Sequence, residues 1–161
     1  MNINKYRPYI LILPEDDANR QLANGFLLDP NLNNRAIQVL PPAGGWTKVV
    51  EQFMHAYAAT MTRLSDRQVV LLIDFDHDPN RLSSIQSQIP NNLKQRVFII
   101  GVESDPESLR RNLKMDFEKT GEALAKDCSG NTNILWGHDL LKHNRTELNR
   151  MISSVKPYLF N

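Results

Sequence analysis

Short runs of consecutive apolar residues alternate along the chain with longer stretches in which apolar residues recur every three or four positions. The runs are typical of strands buried on both faces of a parallel sheet, and the longer stretches are typical of amphipathic helices. Strands are therefore predicted at 9–14, 36–40, 69–75 and 97–102, with 133–136 as a candidate fifth. We expect an α/β fold, a three-layer sandwich of the Rossmann-like class with a mostly parallel sheet of four or five strands.

Prolines, glycines and capping residues mark where the predicted helices begin. The start signals are Asp16 or Asp17, the Gly44-Gly45 turn, Asp78-Pro79, Asp105-Pro106 and Asn144. The second helix is expected over 46–64, and the helix that begins at Asp105 is expected to continue to about Cys128. Three apolar residues of that later helix recur at helical spacing and are predicted to be buried: Leu109, Leu113 and Phe117.

The composition is that of an ordinary globular protein. A chain of 161 residues with 41% hydrophobic and 23% charged residues fits one domain over 1–161. The formal net charge of +1 gives no long-range field, so nucleic-acid binding would depend on a local basic patch. No apolar run reaches the roughly 18 residues of a membrane span, and the N-terminal stretch does not read as a signal peptide. With a single cysteine, Cys128, these features predict a cytoplasmic protein without a membrane partner.

Acidic residues follow two of the predicted strands. The first strand ends in Glu15-Asp16-Asp17, and the third runs into Asp74, Asp76 and Asp78. Because parallel strands of an open α/β sheet end at the same ligand-binding edge, we expect these acids to lie close together. Asp78 stands directly before a proline and is expected to cap a helix, and one of Asp16 and Asp17 is needed as a cap as well.

The acids that remain are Glu15, Asp74 and Asp76. Asp74 follows five apolar residues, so its carboxylate begins close to the core, where an unpaired charge is costly. Two acids two residues apart on a strand point to the same side, and Mg²⁺ or Mn²⁺ would offset their repulsion. The alternative is that these acids form salt bridges with Arg20, Lys48 or Arg81.

An acid after the first strand, a glycine turn after the second and Asp-x-Asp after the third resemble the TOPRIM fold. This is the metal-binding module of topoisomerases, bacterial primases and nucleases of the overcoming-lysogenization-defect family. The matching residues are Glu15, the Gly44-Gly45 turn, Asp74 and Asp76. The resemblance covers a core of about 9–102 and leaves about 103–161 as a helical C-terminal extension. Asp16 stands where the family usually has a glycine.

The TOPRIM resemblance implies a metal-dependent phosphoryl-transfer protein that acts on nucleic acid, with a small magnesium-dependent nuclease or nuclease subunit favoured. In that family the glutamate serves in acid-base chemistry or joins the metal site, and the aspartate pair holds Mg²⁺. Glu15, Asp74 and Asp76 would be both the catalytic and the metal-binding residues. A domain this small would need a partner to complete a substrate groove, and an ATPase subunit or a homodimer is expected.

Two other classes of protein stay open. The stretch from Ile10 to Leu22 is similar to the start of response-regulator receiver domains, in which case Asp74 would accept a phosphoryl group. Receivers have a lysine after the fifth strand, whereas here Gly137-His138-Asp139 follows 133–136. The third class is a non-catalytic α/β module that binds another protein. His138 is a further candidate to face the acids.

Overall fold

The structure is a computed structural model that describes residues 9–161. Four parallel strands form one sheet in the order β2-β1-β3-β4. They are β1 (Tyr9–Pro14), β2 (Ile37–Val39), β3 (Arg67–Leu72) and β4 (Val97–Ile100). The predicted α/β class and the four main strands are confirmed, with small differences at the strand ends. Residues 1–8, which belong to the predicted domain and were expected to hold no signal peptide, lie outside the described residues.

Helices cover both faces of the sheet. They are α1 (Asp17–Phe26), α2 (Trp46–Gln52), α3 (Ala58–Arg63), α4 (Arg81–Gln88), α5 (Pro106–Leu113), α6 (Phe117–Gly130), α7 (Arg145–Ser154) and α8 (Lys156–Leu159). Side chains of α1, α5, α6 and α8 pack on one face, and side chains of α2, α3 and α4 pack on the other. The fold is therefore the predicted three-layer sandwich. Within residues 9–161 no helix has the length and apolar character needed to cross a bilayer. The predicted division into a core of about 9–102 and a helical extension of about 103–161 stays a prediction.

The predicted helix over 46–64 is interrupted by a π-helical turn, Phe53–Tyr57, which joins α2 to α3. Val49, Phe53 and Met61 are fully buried, as the periodicity indicates. Met54, which continues the same stripe, is instead 39% exposed. A π-turn contains an extra residue, so the buried face shifts around the helix axis from that point.

The helix predicted from Asp105 to about Cys128 is two helices. Asp105 caps α5 as expected, with its carboxylate accepting a hydrogen bond from the Ser108 amide. Lys114 adopts the left-handed conformation and ends α5, and Asp116 caps α6. A left-handed residue is a common helix stop. Two of the three predicted core residues, Leu109 and Phe117, are buried, and Leu113 is partly buried.

The predicted fifth strand at 133–136 is wrong. These residues form a turn whose backbone is held by the buried carboxylate of Asp127, which accepts hydrogen bonds from the amides of Leu135 and Trp136. A strand here would need those amides for pairing with β4. Because both amides donate to Asp127, they are not available for pairing with a neighbouring strand.

Side chains from the last part of the chain cover the free edge of β4 instead. The Ile99 amide donates to the Glu147 carboxylate at 2.8 Å. The side chain of Asn144 bonds both the amide and the carbonyl of Gly101, at 3.1 and 2.9 Å. Asn144 precedes α7, as the sequence predicted, but its side chain does not cap that helix. An uncovered edge exposes backbone groups to unwanted pairing, and these contacts prevent it.

Asp78-Pro79 does not begin α4 as predicted. The residue before the first turn of α4 is Asn80, and the Asp78 carboxylate accepts a hydrogen bond from the Asn80 amide at 2.9 Å. Asp78 therefore shapes the turn before the helix rather than capping the helix itself. This role is still structural, because it uses the carboxylate to satisfy a backbone donor.

Helices α1 and α6 approach each other closely through two glycines. A Cβ atom at Gly121 would lie 2.0 Å from the Leu22 carbonyl oxygen, and one at Gly25 would lie 2.0 Å from the Glu118 carbonyl oxygen. Both obstacles are backbone atoms, which cannot move aside as a side chain can. The two glycines therefore set the distance between α1 and α6, and α1 carries residues of the candidate site.

We expect Gly121→Ala to lower the free energy of unfolding by more than about 2 kcal/mol. Overpacking against backbone outweighs the roughly 1 kcal/mol that alanine gains over glycine in a helix. Gly130→Ala in the same helix is the matched control, because a Cβ there meets nothing within 4 Å. Urea denaturation of both variants checks the prediction. Equal stability of the two variants would contradict the close approach of α1 and α6.

Candidate acidic site at the carboxyl edge of the sheet

The site lies where the first and third strands end. The chain leaves β1 for β2 on one side and returns to β3 on the other, so the ends of β1 and β3 form a topological switch point, the usual ligand position in such sheets. The Glu15 amide donates to the Leu72 carbonyl at 2.9 Å. The Glu15 carboxylate accepts from the Asp74 amide at 2.6 Å. The structure thus places Glu15 and Asp74 side by side.

Asp74 continues the alternation of β3 beyond the end of the strand. Its neighbours stay paired with the chain after β4, through the Ile73 amide to the Ile100 carbonyl and the Phe75 amide to the Val102 carbonyl. Ile73 and Phe75 face the α2 side, so Asp74 faces α1. Its residue is only 7% exposed. The sequence inference that this carboxyl begins close to the core is confirmed.

Asn19 of α1 joins two of the acids. Its side-chain amide donates to Asp74 Oδ1 at 2.8 Å and to Asp16 Oδ1 at 2.9 Å. Asp16 also accepts from the Asn19 backbone amide and so caps α1. Asn19 is fully buried, and its Oδ1 has no hydrogen-bond partner among the described residues. An unsatisfied buried oxygen beside the acids is a feature that a cation or a donor group would relieve.

Contrary to the sequence prediction, the side chain of Asp76 does not lie beside that of Asp74 but pairs with Arg81. Asp76 and His77 both adopt the left-handed conformation, with φ of 48° and 56°, so the extended chain ends before them. The Asp76 carboxylate forms a 2.7 Å ion pair with Arg81, whose Nη1 also donates to the Asp74 carbonyl at 2.7 Å. The expectation that Asp74 and Asp76 share one side of a strand is therefore wrong. Of the three cations proposed as salt-bridge partners, Arg81 is the one that pairs with a predicted site residue.

Arg81 is itself held in place by the second helix. Its guanidinium carbon lies 4.8 Å from the ring centroid of Trp46, a cation–π geometry. The side chain of Arg81 is only 11% exposed, whereas that of Asp76 is 54% exposed. The cation is thus the fixed member of the pair, and Asp76 is the member with room to move.

The predicted glycine turn packs directly against the site. Gly44 and Gly45 donate from their amides to the Glu15 carbonyl, at 2.8 and 3.2 Å. Both have positive φ, 98° and 150°, which side chains rarely tolerate. The turn therefore fixes the backbone of Glu15, and the carboxylate of Glu15 remains available to accept the hydrogen bond from the Asp74 amide.

The acids raise the proton affinity of one another. Burial raises the pKa of Asp74 to about 8; the hydrogen bond from Asn19 opposes this, and the charges of Glu15, Asp16 and Asp76 add to it. Burial likewise raises the pKa of Glu15, against the hydrogen bond from the Asp74 amide. Asp74 is consequently protonated in a large share of molecules at neutral pH.

The residues offer the oxygen donors that Mg²⁺ and Mn²⁺ prefer. In the part of the chain that the structure describes, however, no three His, Cys, Asp or Glu side chains are arranged so that they could hold a metal ion. Glu15 is engaged with a backbone amide and Asp76 with Arg81. The donor chemistry fits a hard cation, and the side chains would have to exchange these partners to bind one.

The histidine that approaches this edge is His143 rather than the predicted His138. The His143 ring packs on Phe75 at 5.0 Å, and its Nδ1 lies 3.4 Å from the Glu103 carboxylate. Burial lowers the pKa of His143, with Glu103 opposing. His138 Nδ1 instead accepts from the Leu140 amide and closes its own turn.

Asn19 was missed by sequence reasoning, whereas Arg81 was named as one of three possible salt-bridge partners of the acids. The sequence contained a pattern that could have identified Asn19. It lies on the same helical face as Leu22 and Ala23, and a polar residue on a buried face needs a hydrogen-bond partner. The sequence did not, however, indicate which of the three cations would pair with an acid of the site. No protein-family model, curated protein or solved structure matches this chain. The contacts and charges of the site are therefore the basis for assigning a chemistry to it.

We expect the free energy of unfolding to fall as pH rises between about 4 and about 8. The pKa of Asp74 is about 8 in the folded chain and about 4 when unfolded. The unfolded state thus binds fewer protons in this window, and the slope from Asp74 is at most about 1.4 kcal/mol per pH unit. Asp74→Asn keeps the acceptor for Asn19 and should flatten the slope.

The measurement is urea denaturation of wild type and variant at several pH values. Asp139→Asn is the control, since Asp139 pairs with Lys142, which lowers the pKa of its carboxyl. The pKa of Asp139 is shifted in the opposite direction from that of Asp74, so removal of Asp139 should not flatten the slope. An unchanged slope in Asp74→Asn would contradict the assignment of a raised pKa to Asp74.

Proposed function

We propose that this chain is a metal-dependent phosphoryl-transfer protein that acts on nucleic acid, a small nuclease or nuclease subunit similar to TOPRIM proteins. The observation that carries the proposal is the buried carboxyl of Asp74 at the switch point, surrounded by Glu15, Asp16 and Asp76. Such an arrangement is unfavourable unless a proton or a cation is present. Phosphodiester cleavage is a chemistry for which a bound divalent cation at a sheet edge is well suited.

Glu15, Asp74 and Asp76 are the proposed ligands, with Asp16 close enough to interact electrostatically with Glu15 and Asp74. A bound Mg²⁺ or Mn²⁺ would supply Lewis acidity toward a phosphate oxygen. Asp74 would have to lose its proton first, so alkaline pH favours binding. Asp76 would have to exchange Arg81 for the metal, and its exposure permits that movement.

Arg81 has a further role in this proposal. Its guanidinium is fixed by Trp46 and by the Asp74 carbonyl, so it stays in place when Asp76 turns away. A fixed guanidinium beside a metal is suited to a phosphate group, because it presents several donors in one plane. A partner ATPase subunit or a second copy of the chain would complete the groove for the nucleic acid.

We expect Mg²⁺ or Mn²⁺ to raise the melting temperature of the wild-type protein, and to do so more at pH 9 than at pH 6.5, because the metal competes with the proton on Asp74. Asp74→Asn and Asp76→Asn should abolish the shift and any nicking of supercoiled DNA. Asp78→Asn is the matched control, because Asp78 bonds only the turn before α4.

Differential scanning fluorimetry and a plasmid-nicking assay measure these effects. Asp74→Asn is also expected to keep or raise the stability of the metal-free protein, since it removes a buried group whose ionisation is opposed by burial and by its acidic neighbours. Loss of stability in Asp74→Asn together with no metal effect in the wild type would identify the aspartates as structural. The non-catalytic binding module would then be the better description.

A phospho-acceptor signalling domain is the second candidate, and the strand order favours it. The order β2-β1-β3-β4 is the first part of the flavodoxin-like order 2-1-3-4-5 that receiver domains have. Asp74 would be the acceptor, at the end of β3. The absence of a fifth strand from the sheet of the described residues removes the element after which receivers carry their lysine.

Acetyl phosphate with Mg²⁺ distinguishes the two candidates. If the chain is a nuclease, we expect no phosphoprotein, and intact-mass spectrometry should show no added phosphoryl group. A phosphorylated product that Asp74→Asn cannot form would support the receiver. Asp78→Asn again serves as the control, since it leaves the buried acids in place.

A further inference from the structure

A cavity of about 580 Å³ lies against the face of the sheet that carries α1 and α6. Its floor is made of aliphatic side chains from three strands: Ile10, Ile12, Val70, Leu72 and Ile100. Leu22 of α1, Leu124 of α6 and Met151 of α7 contribute to its walls. The volume is within the range of roughly 300–1,000 Å³ that small-molecule sites occupy.

The cavity exists because α7 is fixed at the edge of the sheet. Glu147 binds the backbone of β4, and Asn144 binds that of Gly101 just after it, which keeps this part of the chain beside the last strand. On the other side, α1 and α6 are drawn together through Gly25 and Gly121. The floor between these two anchored units is left open.

Cations border the opening of the cavity. Lys142, Arg145 and Lys156 line it and also reach solvent. Within residues 9–161, Arg145 forms no ion pair, Lys142 pairs with the exposed Asp139, and Lys156 bonds the side-chain oxygen of Asn131. The opening is therefore positively charged.

One acid, Asp127, also lines the cavity, and it is buried, whereas the three cations reach solvent. The Asp127 carboxylate is buried and accepts hydrogen bonds from the Thr132 hydroxyl and from the amides of Leu135 and Trp136. Three donors thus stabilise its negative charge in the buried wall without removing it. A ligand entering the cavity would meet an apolar interior and a cationic rim.

We propose that this cavity binds an aliphatic carboxylate, a single-chain fatty acid whose hydrocarbon lies on the sheet and whose carboxylate meets the cations at the rim. An apolar chain without a charged end would use the floor and leave the rim without a partner. A short anion would use the rim and leave the floor exposed. A fatty acid matches both, and its site adjoins the acids at the end of β3 through Asn19 without including them.

The full chain is titrated calorimetrically at pH 8 with octanoate, decanoate and dodecanoate, below their micelle concentrations, and with the matching alcohols. We expect one ligand per chain and binding that tightens about two- to fourfold with each methylene. The carboxylate should bind at least tenfold more tightly than the alcohol of equal length. Quenching of Trp136 fluorescence in a Trp46→Phe background reports occupancy of the cavity.

Arg145→Glu tests the rim without touching the interior, since Arg145 is exposed. It should weaken dodecanoate at least tenfold and leave dodecanol unchanged. Lys126→Glu is the control, because Lys126 is exposed on α6 and does not line the cavity. Met151→Trp fills the interior and should weaken the acid and the alcohol alike, with circular dichroism confirming the fold.

Equal affinities for acid and alcohol, or an Arg145→Glu variant that binds dodecanoate as the wild type does, would overturn the proposed headgroup contact. Absence of saturable binding by any amphiphile would overturn the proposal as a whole and favour an apolar protein segment as the occupant. Because these titrations involve neither a metal ion nor DNA, their outcomes are independent of the nuclease function proposed above.

Discussion

The pairing of β1 with β3 is the constraint on which the candidate site depends. Their register runs from Tyr9 opposite Arg67 to Pro14 opposite Leu72, and every residue of β1 is buried. A slip of one residue would turn each side chain to the opposite face and away from its packing partners, so close packing in both cores fixes the register. That register brings Glu15 next to the Asp74 amide. The acids meet because the core demands this alignment of the strands.

Magnitudes decide which of the charges matters most. The pair between Asp76 and Arg81 is half-exposed on the side of the acid, and such a pair contributes about 0–1 kcal/mol. The carboxyl of Asp74 is nearly inaccessible, and each unit of pKa shift corresponds to about 1.4 kcal/mol. Asp74 therefore dominates the electrostatics of the site. The hydrogen bond from Asn19 offsets only part of its burial, which leaves a demand for a proton or a cation.

The sequence predicts elements well where local patterning determines them. The four apolar runs became strands, and Asp16 and Asp105 became caps, because each effect depends on neighbouring residues. The left-handed conformations of Asp76 and Lys114 were not predicted, since neither residue is a glycine. In the first case the backbone is held by the Ser104 carbonyl, a contact between distant parts of the chain. Such contacts leave no trace in local periodicity.

The hydrogen bonds that replace the predicted fifth strand affect both the edge of β4 and the cavity beside α7. Asp127 takes the amides of Leu135 and Trp136, so the segment that would have extended the sheet is used in a turn. Glu147 then satisfies the edge of β4, and Asn144 satisfies the backbone of Gly101 just after it, and these contacts keep α7 at the edge of the sheet.

Because α7 stays at that edge, the sheet face beside α1 remains partly uncovered. Asn19 lies at this boundary, lining the cavity on one side and bonding Asp74 on the other. The unpaired oxygen of Asn19 and its two acidic partners thus adjoin the cavity. A substitution at Asn19 alters the wall of the cavity and the charge balance of Asp74 together, whereas Arg81 and Arg145 each touch one of them alone.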